Sequence, residues 1–278
     1  MALSFIPEIW SALVLETLKK SAVYAGPTVV NRDYEGDIRN QGDTVRIRSV
    51  SDPTISTYSK NGTLTYETLT DAQRALLIDQ AKSFSFSVDD IDRVQSPGGE
   101  LEAALVQAAY KLRDTADQYV AGLYTGAQVA NQIGTVSVTT AALAYTQLRK
   151  LSVLLDQANV PMEGRYVIVP PWYYGLLLED DKFVKVDASG TTQGLRNGIV
   201  GQALGFDVLK SNNAPLVTGD DYAVMAGYPG AITYAEQISD IETLRLQTTF
   251  GTGVRGLHLY GSKLVRPDGI ATVVASIT

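Results

Sequence analysis

"GTGVRG" at residues 251–256 has the glycine spacing of a dinucleotide-binding loop, and His258, the single histidine, follows two residues later. Such a loop lets the backbone approach a pyrophosphate at a helix N-terminus. It needs a strand before it, a helix after it and an acid about twenty residues on. Here an alternating, strand-like pattern follows, and no acid occurs after Asp268. The glycines therefore read as flexible turn residues between strands, and no cofactor is expected. His258 lies in the strand-like "GLHLYG" with no GxSxG turn elsewhere, so it reads as a packed or surface strand residue. Asp89, Asp90 and Asp92 miss the spacing of a calcium loop and have no histidine beside them. They read as an acidic loop or helix start, and no metal is expected. Asn61-Gly62-Thr63 matches a glycosylation sequon but reads as a hairpin turn, with Lys60 as a solvated charge at its tip. With no cysteine, thiol nucleophiles, disulfides and cysteine-ligated metals are excluded. No catalytic residue is expected.

The composition points toward surfaces instead of sites. A length of 278 residues suffices for one large domain or two smaller ones. Charged residues make up only 19%, below the usual quarter, which suggests that part of the surface is covered by a partner. Arginines (13) outnumber lysines (10), a tilt that suits contact surfaces. The net charge of −7 argues against tight nucleic-acid binding. The start, MALSFIPEIW, lacks the basic region of a signal peptide, and no apolar run approaches the roughly 18 residues of a membrane span. A soluble protein made in a cytosol, with no membrane partner, is expected.

The elements follow from periodicity. Residues 7–24 read as an amphipathic helix, and 27–43 as an extended arm. Residues 42–70 read as a long polar hairpin with Val45 and Ile47 on one face, Arg46 and Arg48 on the other, and Asn61-Gly62 at the turn. An isolated hairpin is marginal in water, so this one needs a support. "KSFSFSVDDIDRVQS" (82–96) alternates and then turns acidic. Residues 100–124 keep one stripe (Leu101, Leu105, Ala108, Leu112, Ala116, Tyr119, Leu123) and predict a helix about 37 Å long. A strand-like "GTVSVTT" leads to a second helix at 145–158, ended by Asn159 and Pro161. "GRYVIVPPWYYGLLLED" (164–180) reads as a buried strand stopped by Pro170-Pro171 and followed at once by an aromatic-led segment. Residues 194–215 read as short helix, turn and strand; "DYAVMAG", "AITYAEQ" and the alternating segments after Ile241 add strands. The fold class is α+β, with a central α/β part at 138–239.

In this order, "FIPEIWSALVLETLKKSAV" (5–23), "GDTVRIRSV" (42–50), "FSVDDIDRVQS" (86–96), the long helix with Asp117, "LDQANVPMEGRYVIVPPWYYGLLLED" (155–180) and "GLRNGIVGQALGFDVLKSNNAP" (194–215) resemble segments of the major capsid proteins of tailed bacteriophages, in the branch without a fused scaffolding segment. The resemblance implies an N-terminal arm (1–41), an extended hairpin loop (42–80), a peripheral domain with a spine helix (81–137 and 240–278) and an axial domain (138–239). It implies a chain that is no enzyme and that assembles into hexamers and pentamers of an icosahedral phage head, built in the bacterial host cytoplasm. Expected partners are further copies of the chain, a separate scaffolding protein, a portal and weakly held double-stranded DNA. Arg46, Arg48, Asp52, Tyr58 and Lys60 are its candidate subunit contacts, and Lys19, Lys20 and Arg32 the expected local positive charge. The strand-Pro-Pro unit would be packing architecture of the axial domain. Two alternatives remain: a nanocompartment shell of the same fold around protein cargo and, more distantly, a small-molecule-binding α/β enzyme.

Overall fold

The computed structural model describes residues 22–33, 44–50, 55, 57, 60, 71–89, 100–180, 202–247 and 250–277. The helix expected at 7–24, the Asn61-Gly62 turn and the short helix after Gly194 lie outside these residues, apart from the last residues of the first.

The centre is a seven-stranded mixed sheet. It comprises β4 (Gln132–Ser137), β5 (Tyr166–Val169), β6 (Gln202–Ala203), β7 (Phe206–Lys210), β8 (Leu216–Thr218), β9 (Asp221–Gly227) and β12 (Ile270–Ser276). The order is β4-β12-β9-β5-β7-β6, with β8 paired to β9; β4/β12 and β5/β7 run parallel, the other pairs antiparallel. The apolar run YVIV of β5 is buried at every position because both faces of the sheet are covered. Val167 and Val169 join Val208, Val224, Ala226 and Val273 under two helices, and Tyr166 and Ile168 join Met225 and Ile270 on the other face.

Those helices are α2 (Ala141–Gln157) and α3 (Pro171–Glu179); α1 (Glu100–Ala121) precedes both. Helix α2 begins four residues before the predicted start because Thr140 caps it, its hydroxyl accepting from the Leu143 N–H at 3.4 Å. It ends in a Schellman motif: Asn159 takes φ of 55°, its N–H donates to Asp156, and the Val160 N–H donates to Leu155. Its buried face is Ala144, Gln147, Leu148, Leu151 and Leu155, the i, i+3, i+4 spacing of a helix on a sheet. The stop at Pro170-Pro171 has a local cause. Pro171 restricts the residue before it to extended backbone, and Pro170 has ψ of 157°. Pro171 then sits at the first helical position, where its missing N–H costs nothing. Tyr173 and Leu177 bury one face of α3, and the Tyr173 hydroxyl donates to the Ala144 carbonyl at 2.7 Å, locking α3 to α2.

A second sheet has the order β10-β11-β3, built from β10 (Ile232–Arg245), β11 (Gly251–Leu264) and β3 (Gln80–Asp89). "AITYAEQ" and "TLRLQTTF", read as separate strands, contribute to one 14-residue strand, with a register shift between Ile238 and Ile241. "GTGVRG" lies inside β11 and is no turn. Gly256 faces Phe84, and a Cβ there would meet the ring at 2.5 Å, so this glycine makes room for a cross-strand aromatic. Phe84 and Phe86 stack, with ring centroids 6.2 Å apart, on the face their alternation predicts.

Helix α1 buries Leu105, Ala109, Leu112, Ala116, Asp117, Val120 and Ala121. This face is rotated slightly from the predicted one, since Ala109 and Val120 replace Ala108 and Tyr119. Strands β4 and β12, assigned by sequence to the segments 81–137 and 240–278, are hydrogen-bonded into the sheet of segment 138–239. The tertiary ladder, invisible to periodicity, decides their place.

Candidate subunit-contact sites and buried junctions

The hairpin forms from β1 (Thr44–Val50) and β2 (Asp71–Leu77), which pair antiparallel over all seven positions, from Thr44↔Leu77 to Val50↔Asp71. Its second strand lies beyond residue 70, outside the expected hairpin 42–70, while both strands fall within the wider limits 42–80. Among the described residues this two-stranded ladder pairs with no other strand. Its base is anchored. Leu76 and Ile78 are buried with Ala235 and Leu259, and Arg74 donates to the Val265 carbonyl. Gly261 of β11 lets the chain pass at the base, since a Cβ there would stand 2.4 Å from the Leu77 carbonyl oxygen.

Of the expected contact residues, Arg46 stands opposite Ala75 and Arg48 opposite Gln73 in the ladder. Lys60 is exposed, and Ile55, five residues before it, is 96% exposed. Asp52 and Tyr58 lie outside the described residues. The structure therefore places Arg46 and Arg48 on β1, while Lys60 is an exposed residue between β1 and β2 in sequence.

Two buried acids, neither selected from sequence as a contact residue, hold residues 22–33. Asp117 of α1, 3% exposed, accepts from the backbone N–H groups of Val23 and Ala25 through Oδ1 and from Asn213 Nδ2 through Oδ2, each at 3.0 Å. Three segments far apart in sequence meet on one carboxylate: the N-terminal segment, the spine helix and the loop after β7. Burial, then the nearby Asp117 charge, pushes the Tyr24 hydroxyl far above its ordinary range, so this phenol stays neutral.

Glu236 of β10 is the second junction. Arg32 pairs with its Oε1, the Tyr234 hydroxyl donates to Oε2 at 2.7 Å, and His258 Nε2 lies 3.2 Å from Oε2. Arg32 also stacks over the Tyr234 ring at 5.1 Å. Burial alone would raise the Glu236 carboxyl. The His258 hydrogen bond, the Arg32 and His258 charges and the Tyr234 hydroxyl outweigh it and bring it down to about 2. Tyr260, 5.0 Å from the His258 ring, is pushed up to about 12 by burial and then by Tyr119 and Asp79. Next to these residues the chain continues the sheet, as Asn31 bridges Thr233 in parallel. His258 is thus a core residue, and Arg32, expected to offer positive charge, is engaged with Glu236. The sequence signal for this junction was slight: an acid among the apolar positions of "AITYAEQ" and the histidine between two leucines of "GLHLYG".

Arg165, the one base of the strand-Pro-Pro stretch, is also structural. It is 2% exposed and donates to the Pro161 and Val160 carbonyls at 2.9 and 2.6 Å and to Asp156 at 2.7 Å. Among the described residues no group of three metal-ligating side chains converges. A groove of about 390 Å³ beside α2, lined by Ile133, Arg149, Lys150, Val153, Leu154 and Gln157, contains no acid.

A spine helix beside a long-stranded sheet, a separate helix-covered sheet and a projecting hairpin define the class of shell-forming capsid subunits with mixed α+β architecture. The family described as phage capsid protein matches residues 70–273, and this chain belongs to it. Its structure is similar to a solved structure of Mycobacterium phage Che8, with 36% identity, 91% of each chain covered and a TM-score of 0.73. It shares its fold with the capsid of Cyanophage P-SCSP1u, at 20% identity over 94% of this chain and 90% of that one, TM-score 0.74. The fold also extends to a virus-like particle from Pyrococcus furiosus, at 14% identity over 96% and 98%, TM-score 0.57. No curated protein matches. The chain is a major capsid protein, a structural component of the phage head that associates with itself in a shell.

Proposed function

We propose that the chain closes into hexamers and pentamers of an icosahedral head around double-stranded DNA, without catalytic turnover, in the cytoplasm of a bacterial host. The observation that carries this reading is the β1–β2 ladder, which pairs with no other described strand and is anchored to the second sheet through Leu76 and Ile78. A ladder of this length is marginal alone, and a neighbouring subunit supplies the surface it lacks. Arg46, Arg48, Asp52, Tyr58 and Lys60 are the proposed contacts on that neighbour. A scaffolding protein and a portal are proposed partners, following the family's pattern.

Purified chain supplied with scaffolding protein should give shells by mass photometry and negative-stain microscopy. A preparation that stays monomeric or dimeric under every assembly condition sinks the proposal. DNA contact is proposed to be weak and without sequence preference, because the net charge is −7 and Arg32 is engaged with Glu236. Binding by free subunits should collapse between low and physiological salt; tight, salt-resistant binding contradicts it. The fold shared with the Pyrococcus furiosus particle favours one further reading, a shell around protein cargo. Nucleic-acid and protein analysis of purified particles decides between the two contents.

A further inference from the structure

We propose that the groove beside α2 receives the end of α3 from a second copy of the chain, head to tail, with Arg149 and Lys150 of one subunit set against Glu179 of the next. This contact presupposes the self-assembly proposed above and assigns it a surface outside the hairpin. The groove suits an apolar group that carries a negative charge. Ile133 of β4 and Val153 and Leu154 of α2 give it apolar walls, and Val153 is 47% exposed. Arg149 and Lys150, both exposed, supply two positive charges, and no acid is among the lining residues. The matching feature is the last turn of α3. There Leu178, 48% exposed, stands beside the exposed carboxylate of Glu179, while Tyr173 and Leu177 are spent in the core. Docking takes Leu178 and Val153 out of water together and leaves the charges at the rim. The opposite charges fix which surface meets which, since two like surfaces would repel.

The two surfaces lie on opposite sides of one helical layer. Lys150, Leu154 and Gln157 share the flank of α2 that looks toward Ile133, at the edge of the sheet where, among the described residues, β4 pairs with β12 alone. Ser152 is on the other flank, and its hydroxyl donates to the Leu204 carbonyl at 3.5 Å, between β6 and β7 at the opposite edge. Helix α3 leaves β5, whose ladder continues to β7, and packs on α2 from that second side through Tyr173. Helix α2 therefore separates the groove from α3 of its own chain. A contact between two different surfaces repeats with each added subunit, and it closes into a ring when the rotation fits.

The test reverses the charges in the full chain, supplied with scaffolding protein. Glu179→Lys by itself, and Arg149→Glu with Lys150→Glu, should each slow shell formation by about fivefold or more, because like charges then face each other. All three substitutions together restore opposite charges and should bring the rate back to within about twofold of the wild type. The substituted residues are exposed, so Tm of the free subunits should stay within about 2 °C. The absence of cysteine gives a second measurement that leaves the charges in place. Val153→Cys and Leu178→Cys subunits, co-assembled and treated with a short bis-maleimide, should form covalent dimers that neither variant forms separately. Wild-type chain that never assembles sinks the shell reading, and this contact falls with it. Wild-type shells accompanied by unaffected charge variants, by a triple variant without recovery, or by no mixed dimers overturn this contact alone.

Discussion

The seven-stranded sheet and the β1–β2 hairpin show two ways of using a strand. In the first, β5 is buried on both faces by elements of the same chain: α2 and α3 on one side, α1 and the N-terminal segment on the other. In the second, seven residue pairs stand on a base of Leu76 and Ile78. The sheet's stability is complete within the subunit. The hairpin is anchored through Leu76 and Ile78 and pairs with no other described strand. A shell protein requires both, because it must be folded before assembly and unfinished until assembly.

The contrast can be broken at either end. The largest loss of stability is expected from Leu151→Ala, which removes a fully buried side chain between α2 and the sheet. A cost of about 3 kcal/mol is expected, lowering Tm by roughly 6–12 °C in calorimetry. A fall below about 2 °C would mean that this core is less self-sufficient than its burial implies.

Asp117→Ala comes next. It orphans the Val23 and Ala25 N–H groups and Asn213 Nδ2, at a cost of about 2–3 kcal/mol. Exchange of those two amides should accelerate, and Asp117→Asn, which keeps one acceptor oxygen, should recover part of the loss. Equal Tm values for wild type and Asp117→Ala would remove the junction from the account.

Glu236 sharpens the comparison through pH. Its folded-state carboxyl sits at about 2, below the ordinary glutamate range. Its contribution is therefore fully present above that range and is lost as pH falls toward about 2. In acid titrations followed by circular dichroism, Glu236→Gln should be less stable than the wild type at pH 7. The gap should narrow progressively below about pH 4. A gap independent of pH would show that the carboxylate's charge contributes nothing.

Deletion of residues 52–66 should change Tm least, by about 2 °C or less, and yet prevent shell formation. If the thermal transition disappears, the hairpin belongs to the core and the two regions are not different in kind.

Much of the first region was legible because its signals are local. The run YVIV before Pro170-Pro171 marks a buried strand and its end; the spacing of Leu148, Leu151 and Leu155 marks the helix that covers it. The start of α2 was missed by four residues because a threonine cap is a weak signal beside a run of alanines. The glycines of "GTGVRG" were misplaced for the opposite reason. Glycine spacing resembles a turn, and only the ring of Phe84, about 170 residues earlier in the chain, explains why a strand needs them.

Sequence alone determined the spine helix, the buried strand before Pro170-Pro171 and the helix that covers it, the absence of cysteine chemistry and the resemblance to capsid subunits, because periodicity, composition and ordered local segments are properties of contiguous residues. Tertiary structure alone decided that β4 and β12 join the central sheet, that Asp117 gathers three distant segments, and that Arg32, Glu236 and His258 share one buried junction. Each depends on pairings between residues far apart in the chain. The free energy of burying a charge is set by the partners that the fold delivers, and the residue's sequence neighbours do not reveal them.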